Sequence, residues 1–227
     1  MFSSHVAGFP TFINYIRYNK LMLSSEFKLL AAFLQSPSEE LYARQIERMT
    51  RTNHERAGVY LASLVKQKVL LREKKGKQVF YSLNRRNYIV EKAMAIAELE
   101  KARAFLKDNV EGFMAYDTIA KVVKEYRASI YFVLLFGSVA RGHQREESDI
   151  DLLFVLLDNG KTKDKIEEIG KKQEIVTGKK ISIQAVTLDV VQRLWHKEPV
   201  YKNIWQERIV FFGEENFWNF VLREGEP

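Results

Sequence analysis

Apolar positions between residues 24 and 84 follow a helical period, pause, and then shift to a strand period. Phe27, Leu30, Ala31 and Leu34 recur at helical spacing, Ser24 or Ser25 can cap the segment, and Pro37 stops it, so a helix is predicted through residue 35. A short helix follows around residues 43–49, with Ile46 and Met49 expected inward. Arg51, Thr52 and Asn53 form a polar turn, and Asn53 can cap a helix over about 54–67 whose buried stripe is Ala57, Leu61 and Leu64. Its opposite face carries Arg56, Tyr60 and Ser63. Two strand-like runs, 69–74 and 77–83, flank Gly76, which supplies the positive backbone angle of a tight hairpin. Residues 85–126 read as mainly helical, with Ile89, Ala93 and Ile96 on one face and Gly112 breaking the run. Ile130 to Leu135 is a continuous apolar run of strand length, as in a strand buried on both faces. Residues 149–156 alternate and then turn wholly apolar, which suits a neighbouring strand. Residues 161–180, rich in both charges, read as an exposed amphipathic helix with Ile166 and Ile169 inward. Residues 1–23, rich in aromatic and aliphatic side chains, are expected to pack on a later element or a second subunit.

Length and charge divide this pattern in two. A chain of 227 residues fits one large domain or two small ones. Residues 1–90 carry 15 Lys and Arg against 6 Asp and Glu, whereas the remainder carries 21 against 23. A basic first part and a near-neutral second part imply different partners, and the natural partner of a small basic domain is the phosphate backbone of nucleic acid. A solvated surface that happens to be basic is the plain alternative. The absence of cysteine excludes disulfides, zinc-thiolate sites and a thiol nucleophile. No apolar run approaches the roughly 18 residues of a membrane span. The first residues lack a basic region ahead of an apolar stretch, so a soluble cytoplasmic protein is expected.

Helix, short helix, turn, helix and basic hairpin, in that order, resemble a winged helix-turn-helix over residues 24–84. The resemblance implies that the 54–67 helix enters the DNA major groove. His54 and Arg56 would then meet base edges or phosphates, with Tyr60 one turn on, and the wing would bring Lys74, Lys75 and Lys77 to a phosphate or the minor groove. A winged helix used only for protein contacts or dimerisation is the alternative. Arg85-Arg86-Asn87 is the expected boundary, giving a DNA-binding domain with an N-terminal extension over 1–86, a helical connector over 87–109 that could serve as a dimer seam, and a second domain over 110–227.

The chemistry is concentrated in that second domain. Phe136-Gly137-Ser138-Val139-Ala140-Arg141-Gly142 follows the apolar strand run, and Ser148-Asp149-Ile150-Asp151 opens the next one, with ten residues between Ser138 and Asp149. A strand ending in Gly-Ser at the start of a short helix presents backbone N–H groups and a hydroxyl that can hold phosphates. Gly137 lets the backbone turn and lets a phosphate come close. Asp149 and Asp151, two apart on a strand, point to one face about 6.5–7 Å apart. Carboxylates held that close repel unless a cation lies between them, and hard oxygen ligands suit Mg²⁺ bridging to phosphates. Arg141 could touch a triphosphate, while His143 fits a solvated loop residue. Trp195, Trp205 and Trp218 fit packing better than base stacking.

Gly-Ser, a ten-residue spacer and Asp-x-Asp resemble the minimal nucleotidyltransferases of the polymerase-beta superfamily over about residues 110–218, with Ile209-Val210-Phe211-Phe212-Gly213 resembling the family's closing segment. The implied fold class is α/β (α+β): a winged helix-turn-helix followed by a nucleotidyltransferase-fold mixed sheet with flanking helices. The implied activity is transfer of a nucleoside monophosphate from a nucleoside triphosphate such as ATP to a hydroxyl, with Mg²⁺ as cofactor. In that reading Asp149 and Asp151 are the catalytic metal ligands, and Gly137, Ser138 and Arg141 bind the nucleotide. The family's third carboxylate, a metal ligand and candidate base, falls on Gln184 of the run 181–187, which can coordinate through its carbonyl but carries no charge; Asp189 just beyond could substitute. The alternative is a transcriptional regulator, or an antitoxin neutralising a toxin, whose nucleotidyltransferase domain senses a nucleotide or a partner with weak or no catalysis.

Overall fold

The computed structural model describes residues 25–143 and 147–227. The readings of residues 1–23 and of Ser24 as a cap lie outside them. Ser25–Phe33 winds into a 3₁₀ helix rather than the expected α-helix. The tighter turn changes which side chains share a face: Leu29, Leu30, Ala32 and Phe33 are buried, and Ala31, expected inward, is exposed. After the short strand β1 (Leu41–Tyr42) comes α1 (Ala43–Thr50). Ile46 is buried there, but Met49 is 53% exposed, contrary to the expectation, because it falls in the last turn, where left-handed Arg51 already leads the chain away from the core.

Helix α2 (His54–Lys66) starts where expected, with the Asn53 side chain accepting the Arg56 N–H at 2.9 Å, and buries Ala57, Leu61 and Leu64 as their spacing predicts. Strands β2 (Leu70–Lys75) and β3 (Gln78–Leu83) pair antiparallel up to Lys75 opposite Gln78. Gly76 and Lys77 are thus left as a two-residue turn, with Gly76 at φ +62°. β1 adds to the far edge of β3.

Helix α3 (Ile89–Leu106) buries Val90, Ala93, Met94 and Ala97, a broader surface than the single face expected. The chain breaks at Lys107–Asn109, not at Gly112. Asn109 accepts the Gly112 N–H at 2.6 Å and caps α4 (Val110–Tyr126), placing Gly112 inside the helix. A Cβ there would come within 2.6 Å of the Phe105 ring, so this glycine permits close approach of α3 and α4.

The remaining elements are β4 (Ile130–Phe136), the one-turn α5 (Gly137–Ala140), β5 (Ile150–Leu156), α6 (Lys163–Thr177), β6 (Ile181–Thr187), α7 (Leu188–Leu194), α8 (Pro199–Glu207), β7 (Ile209–Phe212) and α9 (Glu214–Glu224). They form a sheet in the order β6-β5-β4-β7, parallel between β5 and β6 and antiparallel elsewhere. Val133, Leu135, Leu152 and Phe154 pack on one side of it with Ile119, Val122 and Ile166. Phe132, Leu134, Leu153 and Val155 pack on the other, in a core that includes Trp195, Trp205 and Trp218 and runs on without interruption to Leu29, Phe33, Ile46 and Leu64. All three tryptophans are buried packing residues, as burial tendencies predict. Among the described residues the architecture is mixed α/β with two sheets, and no helix is long and apolar enough to cross a membrane.

Candidate functional site

Antiparallel pairing of β4 with β5 sets Phe136 opposite Asp151, so the strand-to-helix turn at Gly137 lies directly over that carboxylate. Gly137 has φ +77°, and a Cβ on it would sit 2.3 Å from Asp151 Oδ2. Two independent constraints, backbone angle and contact with Asp151, therefore require glycine here. The space over Gly137, where a phosphate is expected, borders the Asp151 carboxylate. Ser138 and Arg141 follow within and just after α5, Ser138 partly buried and Arg141 exposed. His143 is exposed, as expected, and its N–H donates to the Ser138 carbonyl at 3.1 Å.

Asp149 precedes β5 by one residue and Asp151 is its second residue. The Asp151 carboxyl is pushed above its ordinary value, first by burial and then by the charge of Asp149; a hydrogen bond from Ser182 and the positive charges of Lys180 and Arg141 work against that rise. Asp149 forms an ion pair with Lys180, which raises the lysine above its usual value. Lys180 and Ser182 come from the start of β6, brought beside the aspartates by the parallel register that sets Ile150 opposite Ile181 and Asp151 opposite Ser182.

That register also locates Gln184. It stands opposite Leu153, one full pleat beyond the residue paired with Asp151, and is exposed. Asp189 does not substitute for a third carboxylate. It lies in the first turn of α7, past Thr187, which pairs with Leu156 at the far end of β5; there it accepts the Thr187 hydroxyl and lies 3.8 Å from Arg193. Among the described residues no group of three His, Cys, Asp or Glu side chains is placed to hold a metal ion.

One contact had no sequence signal. Glu207, the last residue of α8, accepts the Gly137 N–H through Oε2 at 3.1 Å and pairs with Arg141 through Oε1. The next residue, Arg208, is fully buried. Its guanidinium lies 3.6 Å from the centre of the Trp205 ring, donates to the Leu34 carbonyl at 2.7 Å, and sits 3.7 Å from the equally buried Glu98.

In the basic part, His54, Arg56, Lys74 and Lys77 are exposed. The imidazole of His54 is 2.8 Å from Glu47, and Lys75 is paired with Glu40 and lies 3.6 Å from Glu73. Tyr60 is partly buried against the core. An open groove lined by Tyr42, Ala43, Arg44, His54, Gln78 and Val79 runs between the starts of α1 and α2 and strand β3; Arg44, exposed on its rim, was not among the residues expected there.

No curated protein matches the chain. A solved structure described as "Crystal structure of the toxin-antitoxin with AMP-PNP" is similar at 17% identity, over 48% of this chain and 83% of that one, with a TM-score of 0.34. Residues 117–215, which contain the glycine turn, both aspartates, β6 and Glu207, match the family described as Polymerase beta, Nucleotidyltransferase.

Proposed function

We propose that residues 110–227 bind a nucleoside triphosphate and transfer its nucleoside monophosphate to a hydroxyl acceptor, releasing pyrophosphate, and that the basic part over residues 1–86 binds double-stranded DNA, with residues 87–109 connecting the two. The observation that carries the first half is the seating of the Gly137 turn on Asp151, beside Asp149, within the segment that matches the nucleotidyltransferase family. Two neighbouring carboxylates of like charge, only one of them paired with Lys180, are relieved further by a divalent cation. Mg²⁺ is commonly held by one or two carboxylates together with substrate phosphates, so Asp149 and Asp151 fit it as a shared ion rather than as a complete protein cage. Bound there, Mg²⁺ would neutralise charge on the phosphates.

The chain's own groups supply the rest. The Gly137 N–H and the Arg141 guanidinium are donors for phosphate oxygens, with the Ser138 hydroxyl beside them. Ser182 orients Asp151, and Lys180 holds Asp149. The residue of β6 in register with Asp151 is a serine, which is no base at neutral pH. That observation favours a second reading, a transcriptional regulator whose nucleotidyltransferase domain senses a nucleotide with weak or no catalysis. The DNA half is supported by Arg44, His54, Arg56, Lys74 and Lys77, which are exposed around one end of α2 and the hairpin.

Calorimetric titration with ATP, with and without Mg²⁺, tests the nucleotide half on the wild type and on the Asp149→Asn, Asp151→Asn double variant. Mg²⁺-dependent binding lost in the folded double variant is the expected result. Absence of binding by the wild type would remove the nucleotide from the reading and leave the DNA half to be tested alone.

A further inference from the structure

We infer that Glu207 is an internal anion that holds the phosphate donors of the nucleotide site in the free protein, so that a nucleotide enters by displacing it. The inference rests on the nucleotide reading above. One carboxylate takes two of the donors assigned above to a phosphate: the Gly137 N–H at 3.1 Å on one oxygen and the Arg141 guanidinium on the other. A carboxylate edge presents the same two-oxygen, negatively charged fork that a phosphate presents to an arginine. Glu207 arrives from α8, far along the chain, and its side chain is only 19% exposed, so this is a seated contact and not a passing surface pair.

Its setting also makes the contact reversible. The contact consists of two hydrogen-bonded donors and no covalent or metal link, so an anion that offers the same donors a better partner can replace it. The backbone at the end of α8 stays fixed, because the guanidinium of neighbouring Arg208 is buried against Trp205 and bonded to the Leu34 carbonyl. Glu207 therefore leaves by rotating its own side chain, without moving the helix, and Arg141 is freed to meet the incoming phosphate. The site selects for ligands that carry enough negative charge to win this exchange.

The test is calorimetric binding of Mg²⁺–ATP and, separately, of inorganic tripolyphosphate to the wild type, Glu207→Gln and Glu207→Asp, each checked for folding by thermal melting. Removing the competing charge should tighten binding of both probes to Glu207→Gln by about tenfold, the factor that corresponds to one charge-assisted hydrogen bond. Glu207→Asp, whose carboxylate is one methylene shorter and reaches the two donors less well, should fall between. Wild-type binding that is unchanged or weakened in Glu207→Gln overturns the inference and makes Glu207 a group that supports the ligand. Absence of binding to all three proteins overturns the nucleotide reading itself, and this inference with it.

Discussion

The face around α2 and the β2–β3 hairpin and the site around Gly137 both depend on charge, but they are built in opposite ways. On the first, Arg44, Arg56, Lys74 and Lys77 stand out in solvent. Such a surface acts through a summed, salt-screened potential, and the loss of one member weakens it without abolishing it. At Gly137 the groups are in contact: a glycine with no room for a Cβ against Asp151, Ser182 on Asp151, Lys180 on Asp149, and Glu207 across Gly137 and Arg141. Contact leaves little tolerance, because displacing one group moves its neighbour. The basic surface is a matter of composition, whereas the site is a matter of register.

The largest expected effect comes from the residue that ties the two regions together. Arg208→Ala removes one of the two cations beside buried Glu98, leaving Lys101 at 3.6 Å, and takes away the donor to the Leu34 carbonyl, at a cost of about 3 kcal/mol. Because the core is continuous from Leu29 to Val221, urea unfolding should remain a single transition moved to lower denaturant. Two separated transitions would show that the regions unfold independently. Next is Gly137→Ala. Its left-handed backbone and the Asp151 contact should destabilise the protein by about 1–3 kcal/mol and abolish Mg²⁺–ATP binding, while DNA affinity measured by fluorescence anisotropy stays at the wild-type value. A loss of both bindings at once would mean that the contrast between the two surfaces is false.

A third effect is read from pH. Burial pushes Glu214, at the start of α9, up to about 7 from the usual 4.5, with the charges of Glu98 and Glu215 adding to the rise and Arg127 opposing it. Since the folded value is the higher one, the folded protein holds an extra proton between about 4.5 and 7, and its stability falls as pH rises through that window. Glu214→Gln should flatten the melting temperature across the same range; an unchanged profile would mean the carboxyl is ionised in the fold. The smallest effects belong to the basic face. Lys74→Ala and Lys77→Ala should each lower the salt slope of DNA binding by about one and weaken affinity a few-fold on any sequence. Lys75→Ala should do less, since Glu40 and Glu73 already neutralise it. Equal effects for all three lysines would show that DNA detaches Lys75 from Glu40.

The sequence by itself determined the elements whose burial follows a local period. The stripe Ala57, Leu61 and Leu64, the hairpin about Gly76 and the apolar strand before Gly137 were all legible, because each repeats or ends within a few residues, whereas the run 181–187 was placed by the family resemblance. Gly137, Asp149 and Asp151 were legible too, since they follow and open two apolar runs with a ten-residue spacer between Ser138 and Asp149. The face of the first helical segment was misread, because a 3₁₀ turn and an α-helical turn place the same residues differently. Only the tertiary structure decided what stands beside the aspartates. Ser182 and Gln184 are equivalent by the two-residue alternation of a strand, and only pairing with β5 sets Ser182 against Asp151 and Gln184 against Leu153. Lys180, Glu207 and Arg208 reach their partners across 31, 70 and 174 residues, through a parallel crossover and the docking of α8. No local period encodes such contacts, because they exist only once the chain has closed on itself.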